Sequence, residues 1–139
     1  MESKQITEAL RGAGLRVTAP RVTTIGVVAE QPHLQADAIA AEVRKRLGSV
    51  STQAIYDILN ALTSAGILRR AAVDGRTSRF ELDSGDNHHH IVCTVCGRLE
   101  DIPCFEQATP CMHPPKGTGF DIKIAEVLFR GVCADCQTP

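Results

Sequence analysis

Cys93-x-x-Cys96 and Cys133-x-x-Cys136 form two CxxC pairs, and the segment Gly85-Asp86-Asn87-His88-His89-His90-Ile91-Val92-Cys93 sets three histidines directly ahead of the first pair. Each CxxC puts two thiols on one tight turn, half of a tetrahedral zinc shell, and two such pairs complete it. The histidines form a second ligand set beside a site that is already full. One segment therefore carries both a closed structural metal site and the beginnings of an open one. That combination suits a metal-sensing protein better than a simple zinc ribbon.

Residues 97–132 separate the two pairs, more than the short spacer of a compact ribbon, so two redox CxxC motifs are the alternative to one shared zinc. A reducing cytoplasm, the expected compartment, favours the shared zinc on all four thiolates. The half that contains them, about 57 residues, has a thin core, and structural zinc can supply on the order of 10 kcal/mol of folding free energy. In the histidine segment, alternate residues of a strand share a face. His88 and His90 then point one way, and His89 points the other, where it packs or hydrogen-bonds. Glu81 precedes them and Asp101 lies on the adjacent strand candidate. Two imidazoles with carboxylates suit a divalent first-row metal such as Fe, Mn, Ni or Zn. His33, after Pro32, joins such a site only if the two halves of the chain meet; by itself it reads as an exposed loop histidine.

The chain has 139 residues, 43% of them hydrophobic, enough for one compact domain or two small ones. No stretch approaches the ~18–20 apolar residues of a membrane span. The N-terminus, Met1-Glu2-Ser3-Lys4-Gln5, lacks the apolar centre of a signal peptide. Residues 1–82 carry 11 Lys+Arg against 8 Asp+Glu (+3) and residues 83–139 carry 4 against 8 (−4), which sum to the net −1. A mildly basic first half suits phosphate contacts and an acidic second half suits cations.

The elements that must position these residues divide near Asp83-Ser84, giving domains 1–83 and 84–139. The first half reads as helices followed by a hairpin. Ile6 and Leu10 mark a short helix ending near Gly12 or Gly14. Thr18-x-Pro20-Arg21 starts a second, through Val22, Ile25 and Val28. Gln35 or Asp37 opens a third, through Ile39, Val43 and Leu47 to Gly48. Ser51 caps a fourth, whose Ile55, Ile58, Leu59 and Leu62 form one apolar face, ending at Gly66. Ile67–Val73 and Thr77–Leu82 flank the turn Asp74-Gly75-Arg76. Helices followed by a β-hairpin make a winged helix-turn-helix. The second half is mostly strand, expected to be largely antiparallel: Val92–Val95, Leu99–Ile102 and Asp121–Phe129. Residues 103–119 read as an irregular loop with four prolines. The fold class is thus α+β.

On the fourth helix, Gln53, Tyr56, Asp57 and Asn60 point away from the apolar face. A glutamine can pair with adenine and an aromatic ring can contact a thymine methyl. As ordinary solvated residues they would mean nothing; a wing hairpin behind the helix makes a DNA-reading surface the better account. Arg69, Arg70, Arg76 and Arg79 lie in or beside the hairpin, where phosphate or minor-groove contacts would fall. Asp57 and Asp74 do not help such a role.

Over nearly its whole length the chain resembles the ferric uptake regulator family of metal-dependent repressors. The resemblance is carried by Gly14-Leu15-Arg16-Val17-Thr18-x-Pro20-Arg21, His33-x-x-Ala36-Asp37, Val50-Ser51-x-Gln53-Ala54-Ile55-Tyr56, Arg79-Phe80-Glu81 and His88-x-His90-x-x-Cys93-x-x-Cys96-Gly97. Within the family it looks most like the actinobacterial branch that represses catalase-peroxidase genes, where Gly85 to His90 and a spare Cys104…Cys111 pair are typical. The resemblance implies a homodimer on palindromic double-stranded operator DNA, with an N-terminal winged helix on DNA and a C-terminal dimerisation domain. It implies structural zinc on Cys93, Cys96, Cys133 and Cys136. It implies a regulatory metal, Fe(II) or Mn(II) with Ni or Zn as alternatives, on His33, Glu81, His88, His90 and Asp101. It further implies that Tyr56 reaches bases and that Arg16 enters the minor groove. Iron-sensing relatives often have a further metal site fed from the last strand, and Ala125 stands at that position here. Asp101 is typical of peroxide-sensing members and Glu81 of iron sensors.

These features predict a repressor that responds to peroxide and controls oxidative-stress genes, with an iron- or other metal-responsive uptake repressor as the alternative. A thiol switch through Cys104 and Cys111 is a third possibility. A non-haem metalloenzyme built on His88, His90 and a carboxylate is the reading from another class, but no substrate-pocket signature accompanies it. Neither a membrane nor a small-molecule substrate is called for.

Overall fold

The structure is a computed structural model and describes residues 1–72, 78–85, 88–103, 116–122 and 125–137. It divides into two compact units, Met1–Ser84 and Gly85–Pro139.

The first unit runs α1 (Ser3–Gly12), α2 (Ala19–Glu30), β1 (Leu34–Gln35), α3 (Ala36–Leu47), α4 (Thr52–Ser64), β2 (Leu68–Ala72) and β3 (Ser78–Leu82). The local signals explain the ends. Thr18 Oγ1 accepts the Arg21 N–H at 3.4 Å with Pro20 in the first turn of α2, and Ser51 Oγ accepts the Ala54 N–H at 3.0 Å to start α4. Gln35 rather than Asp37 is the N-cap of α3, and its side chain makes no capping bond. Past α4, Gly66 takes φ 76° and the Ile67 N–H returns to the Leu62 carbonyl at 3.0 Å, a reversal that a Cβ would strain.

Ile55, Leu59 and Leu62 are buried on α4, with Ile58 packed beside them, against Ile6, Leu10, Ile25, Val28, Ile39 and Val43. β3 is the middle strand of a sheet ordered β1-β3-β2, antiparallel throughout, with Arg69 opposite Glu81 and Leu34 opposite Phe80. Helices with this sheet behind them form a winged helix. β1 is one of two elements that sequence patterning missed, the other being a four-residue helix at Ala134–Gln137. β1 has only two residues and follows His33, whose φ of 73° is the one positive value at a non-glycine residue among those described. The wing turn 73–77 lies outside the described residues.

The second unit has β4 (His89–Cys93), β5 (Leu99–Ile102), β6 (Leu128–Gly131) and a short α5 (Ala134–Gln137). β4 is central; β5 pairs with it antiparallel and β6 parallel. The sheet is therefore mixed rather than largely antiparallel, with residues 103–127 between β5 and β6 in sequence. A parallel pairing needs a crossover of a dozen or more residues, about what that span can supply. The strand expected over Asp121–Phe129 is shorter and later than predicted: 121, 122 and 125–127 are not strand. The Val127 N–H donates to His89 Nδ1 at 3.2 Å, a side-chain bond at the point where β6 begins. Of the expected loop over 103–119, Pro103 and 116–119 are irregular and 104–115 lie outside the described residues.

Leu62 is 0% exposed at the centre of the first unit. Leu62→Ala should destabilise that unit by about 2–5 kcal/mol in urea unfolding followed by circular dichroism. A loss under about 1 kcal/mol would mean that α4 is not seated on this core.

Candidate metal centres and nucleic-acid interface

The four cysteines of the two CxxC pairs converge, with their sulfur atoms all within 4.8 Å of one another. The first pair sits where β4 ends. Gly97, at φ 77°, returns its N–H to the Cys93 carbonyl at 2.9 Å, closing the turn that aims Cys93 and Cys96 together. The second pair lies at the start of α5. Cys93 Sγ accepts backbone N–H groups from Cys133 at 3.4 Å and Cys96 at 3.5 Å, and Cys96 Sγ lies 3.8 Å from Cys133 Sγ. Those N–H groups, Cys133's first, hold the Cys93 thiol down to about 6. Cys136 is pushed up to about 12, first by its hydrogen bond to Cys133 and then by burial. Four sulfurs this close cannot all ionise without a cation among them, and a tetrathiolate is the donor set zinc prefers. The chemistry fits one zinc shared by both pairs better than two separate redox pairs.

The candidate ligands for a regulatory metal fall into two groups, one on each unit. On the first unit, Glu81 on β3 is 4% exposed. Its Oε2 lies 3.1 Å from His33 Nε2, and its Oε1 accepts from Arg69 Nε at 2.6 Å. His33 is brought there by the short β1 and by its own N–H, which donates to the Phe80 carbonyl at 2.9 Å. It is a half-buried residue, not the exposed loop histidine that its neighbours in sequence suggest.

On the second unit, His90 and Asp101 are a cross-strand pair of β4 and β5. Asp101 Oδ1 lies 3.2 Å from His90 Nε2 and 3.6 Å from His88 Nε2, and the two imidazoles are 4.9 Å apart, edge to face. His89 faces the opposite way, 2% exposed, with Nδ1 on the Val127 N–H; its buried Nε2 has no partner among the described residues.

The outward side of α4 presents Gln53, Tyr56, Asp57 and Asn60, all exposed. Each is held by a neighbour. Gln53 donates to Asp57 at 2.9 Å, the Tyr56 hydroxyl donates to Asp37 at 3.0 Å, and Arg70 donates to Asn60. The Asp37 bond raises the Tyr56 phenol above its ordinary range, so the ring stays neutral. Arg16 is exposed ahead of α2, and its carbonyl accepts from Arg21 at 2.9 Å.

The described arginines in or beside the hairpin have different surroundings. Arg69 turns to Glu81, Arg70 lies over the Phe80 ring at 5.7 Å, and Arg79 Nε is buried without a partner among the described residues. Arg76, Cys104 and Cys111 lie outside the described residues, and Ala125 is a half-buried residue outside any strand. Arg69 takes a partner, Glu81, that the sequence reading did not give it. The signal was present: a hairpin turning on Gly75 sets residue 69 opposite residue 81, as the observed register does.

The profile of the ferric uptake regulator family matches residues 12–129. The chain belongs to that family. It is 45% identical over 130 residues to the transcriptional regulator FurA of Mycobacterium tuberculosis, covering 94% of this chain and 88% of that one. It is similar in structure to a Pseudomonas aeruginosa ferric uptake regulator solved with manganese (26% identity, 93% and 98% covered, TM-score 0.73). A Helicobacter pylori ferric uptake regulator described as having three functional metal binding sites shares the fold (19% identity, 100% and 96% covered, TM-score 0.76). The protein is a metal-responsive transcriptional regulator of this family, not an enzyme. No helix among the described residues is long and apolar enough to cross a membrane.

Zinc uptake by the metal-free protein near pH 8 should release protons, Cys136's among them, since that thiol is protonated until about 12 and binds only as thiolate. Calorimetry in buffers of different ionisation enthalpy measures the number released, and a count of zero would contradict the tetrathiolate. Cys136→Ser should lose the zinc and unfold the second unit.

Proposed function

We propose that this protein is a cytoplasmic, homodimeric repressor that binds palindromic operator DNA when a regulatory divalent metal is present and lets go when peroxide damages that metal site. The observation that carries the reading is the split donor set. His33 and Glu81 are fixed on the winged-helix unit, while His88, His90 and Asp101 converge on the sheet unit. A metal taking ligands from both would favour one arrangement of the reading helices over others, and a ligand shifts a conformational balance only through such a preference. Three imidazoles and two carboxylates fit Fe(II) or Mn(II), with Ni or Zn as alternatives, and the four thiolates fit structural zinc.

α4 would enter the major groove with Tyr56 and Gln53 toward base edges, while Arg16 and the wing, Arg76 included, would meet the backbone or minor groove. Dimerisation through the second unit is supported by its apolar surface. Ile91 and Phe129 are register neighbours on β4 and β6, 38% and 42% exposed, with Val132 at 43% nearby. A two-fold dimer reads a palindrome.

Iron(II), when bound, would supply the electron that turns peroxide into a strong oxidant; Mn(II) at the same donors would do so far more slowly. The residues do the rest. His88 and His90 hold their rings around Asp101, within reach of whatever is formed there, so an imidazole takes up the damage. Asp101 and these rings favour peroxide as the signal. Glu81, together with curated relatives named as ferric uptake regulation proteins, supports the second reading, a response to iron level itself.

Tyr56→Ala should cost about 1–3 kcal/mol on the cognate operator and little on random DNA. An equal loss on both would remove the base-reading role. His33→Ala should abolish metal-stimulated operator binding while zinc content, folding and dimerisation stay intact. After peroxide treatment of the Fe(II) protein, mass spectrometry should find one added oxygen on His33, His88 or His90. Loss of two hydrogens across Cys104 and Cys111, with untouched histidines, would instead support a thiol switch. Release of DNA with neither change would refute both.

A further inference from the structure

We propose that Arg69 is the built-in counter-charge of the regulatory site: its guanidinium holds Glu81 while no metal is present and lowers the affinity of the site for divalent cations. This rests on the proposed regulatory role of Glu81 and His33.

Glu81 is 4% exposed, and a carboxylate taken that far out of water needs a positive or donating partner at all times. His33, if it is to serve as a metal ligand, must be neutral and cannot supply a full charge. Arg69 supplies it, from Nε to Oε1 at 2.6 Å, with its own side chain only 23% exposed. The contact is imposed by the backbone. Arg69 and Glu81 are directly opposed in the antiparallel β2–β3 ladder, so their side chains emerge on one face. The guanidinium therefore stays beside the carboxylate whether or not a cation arrives.

Two consequences follow. A cation on the Oε2 edge, where His33 Nε2 sits at 3.1 Å, would feel a positive charge just across the carboxylate, and that repulsion weakens binding. The donor set carries two carboxylate charges, Glu81 and Asp101; Arg69 offsets one of them. The occupied Oε1 also leaves Glu81 presenting its other oxygen, as a one-oxygen ligand. Arg69 thus sets the metal concentration at which the regulator responds and keeps the metal-free winged helix folded around its buried carboxylate. This is a positioning and tuning role, with no contact to DNA.

The test uses the zinc-loaded, full-length protein and Mn(II), whose free form is counted by electron paramagnetic resonance. Arg69→Gln should bind Mn(II) about tenfold more tightly, as expected for removing a unit charge at this distance in a damped protein dielectric. The Mn(II) needed for half-maximal operator binding should fall by the same factor. Melting of the Mn-free protein should move down by several degrees. Arg69→Lys, which restores the charge, should return affinity toward wild type. Arg69→Met, which keeps the aliphatic stem, serves as a second neutral variant should the glutamine variant fail to fold. A folded neutral variant with Mn(II) affinity equal to or weaker than wild type overturns the proposal, even if its melting point drops, because a structural role alone would do that. Wild-type protein that takes up no Mn(II) beyond its zinc, or whose Mn(II) binding survives Glu81→Ala, sinks the regulatory-site reading itself.

Discussion

A carboxylate buried among strands must be neutralised or paired, and in this protein that requirement falls on Glu81. The winged-helix unit is arranged around meeting it. The β2–β3 ladder sets Arg69 opposite Glu81, and the two-residue β1, paired to the far side of β3, delivers His33 to the other oxygen. β1 leads straight into α3, whose Ile39 and Val43 pack in the same core as Ile55, Leu59 and Leu62 of α4. His33 and α4 are thus tied through a few covalent and packed contacts. The positive φ of His33 is a local strain of the kind that persists where surrounding structure holds it.

The second unit solves a different problem. Its described residues bury little beyond Val92, Cys93 and His89, too few to hold a small sheet by apolar burial alone. The four sulfurs replace a core. They join the end of β4 to the segment after β6, so one zinc would fasten the central strand to the chain's C-terminal end. The same strand carries His90 on one face, beside Asp101, and His89 on the other, packed and hydrogen-bonded.

Much of this was legible in the residues, for physical reasons that differ by element. Thr18, Pro20, Ser51 and Gly66 fix helix ends through local bonds, and the i, i+3, i+4, i+7 face of α4 has one way to bury itself. The clustering of the cysteines followed from sulfur chemistry at CxxC spacing. What escaped depended on long-range pairing. β1 is too short to carry a pattern, so His33 looked exposed. Alternation through 121–127 predicts a longer β6, while at Val127 a histidine side chain takes the backbone N–H. Its parallel direction depends on a crossover that no local signal announces. The charge of Arg69 and its place in the hairpin suit a DNA contact, while the register about Gly75 pairs it with Glu81.

A regulatory metal shared by the two units, as proposed, would bind imidazoles from both. Pulsed electron paramagnetic resonance of Mn(II) in protein carrying ¹⁵N-labelled histidine counts the imidazole nitrogens on the metal. Three are expected in the wild-type protein, and one fewer in each of His33→Ala and His90→Ala, one substitution from each unit. A count unchanged by His33→Ala would place the metal on the sheet unit alone and contradict a metal shared by the two units.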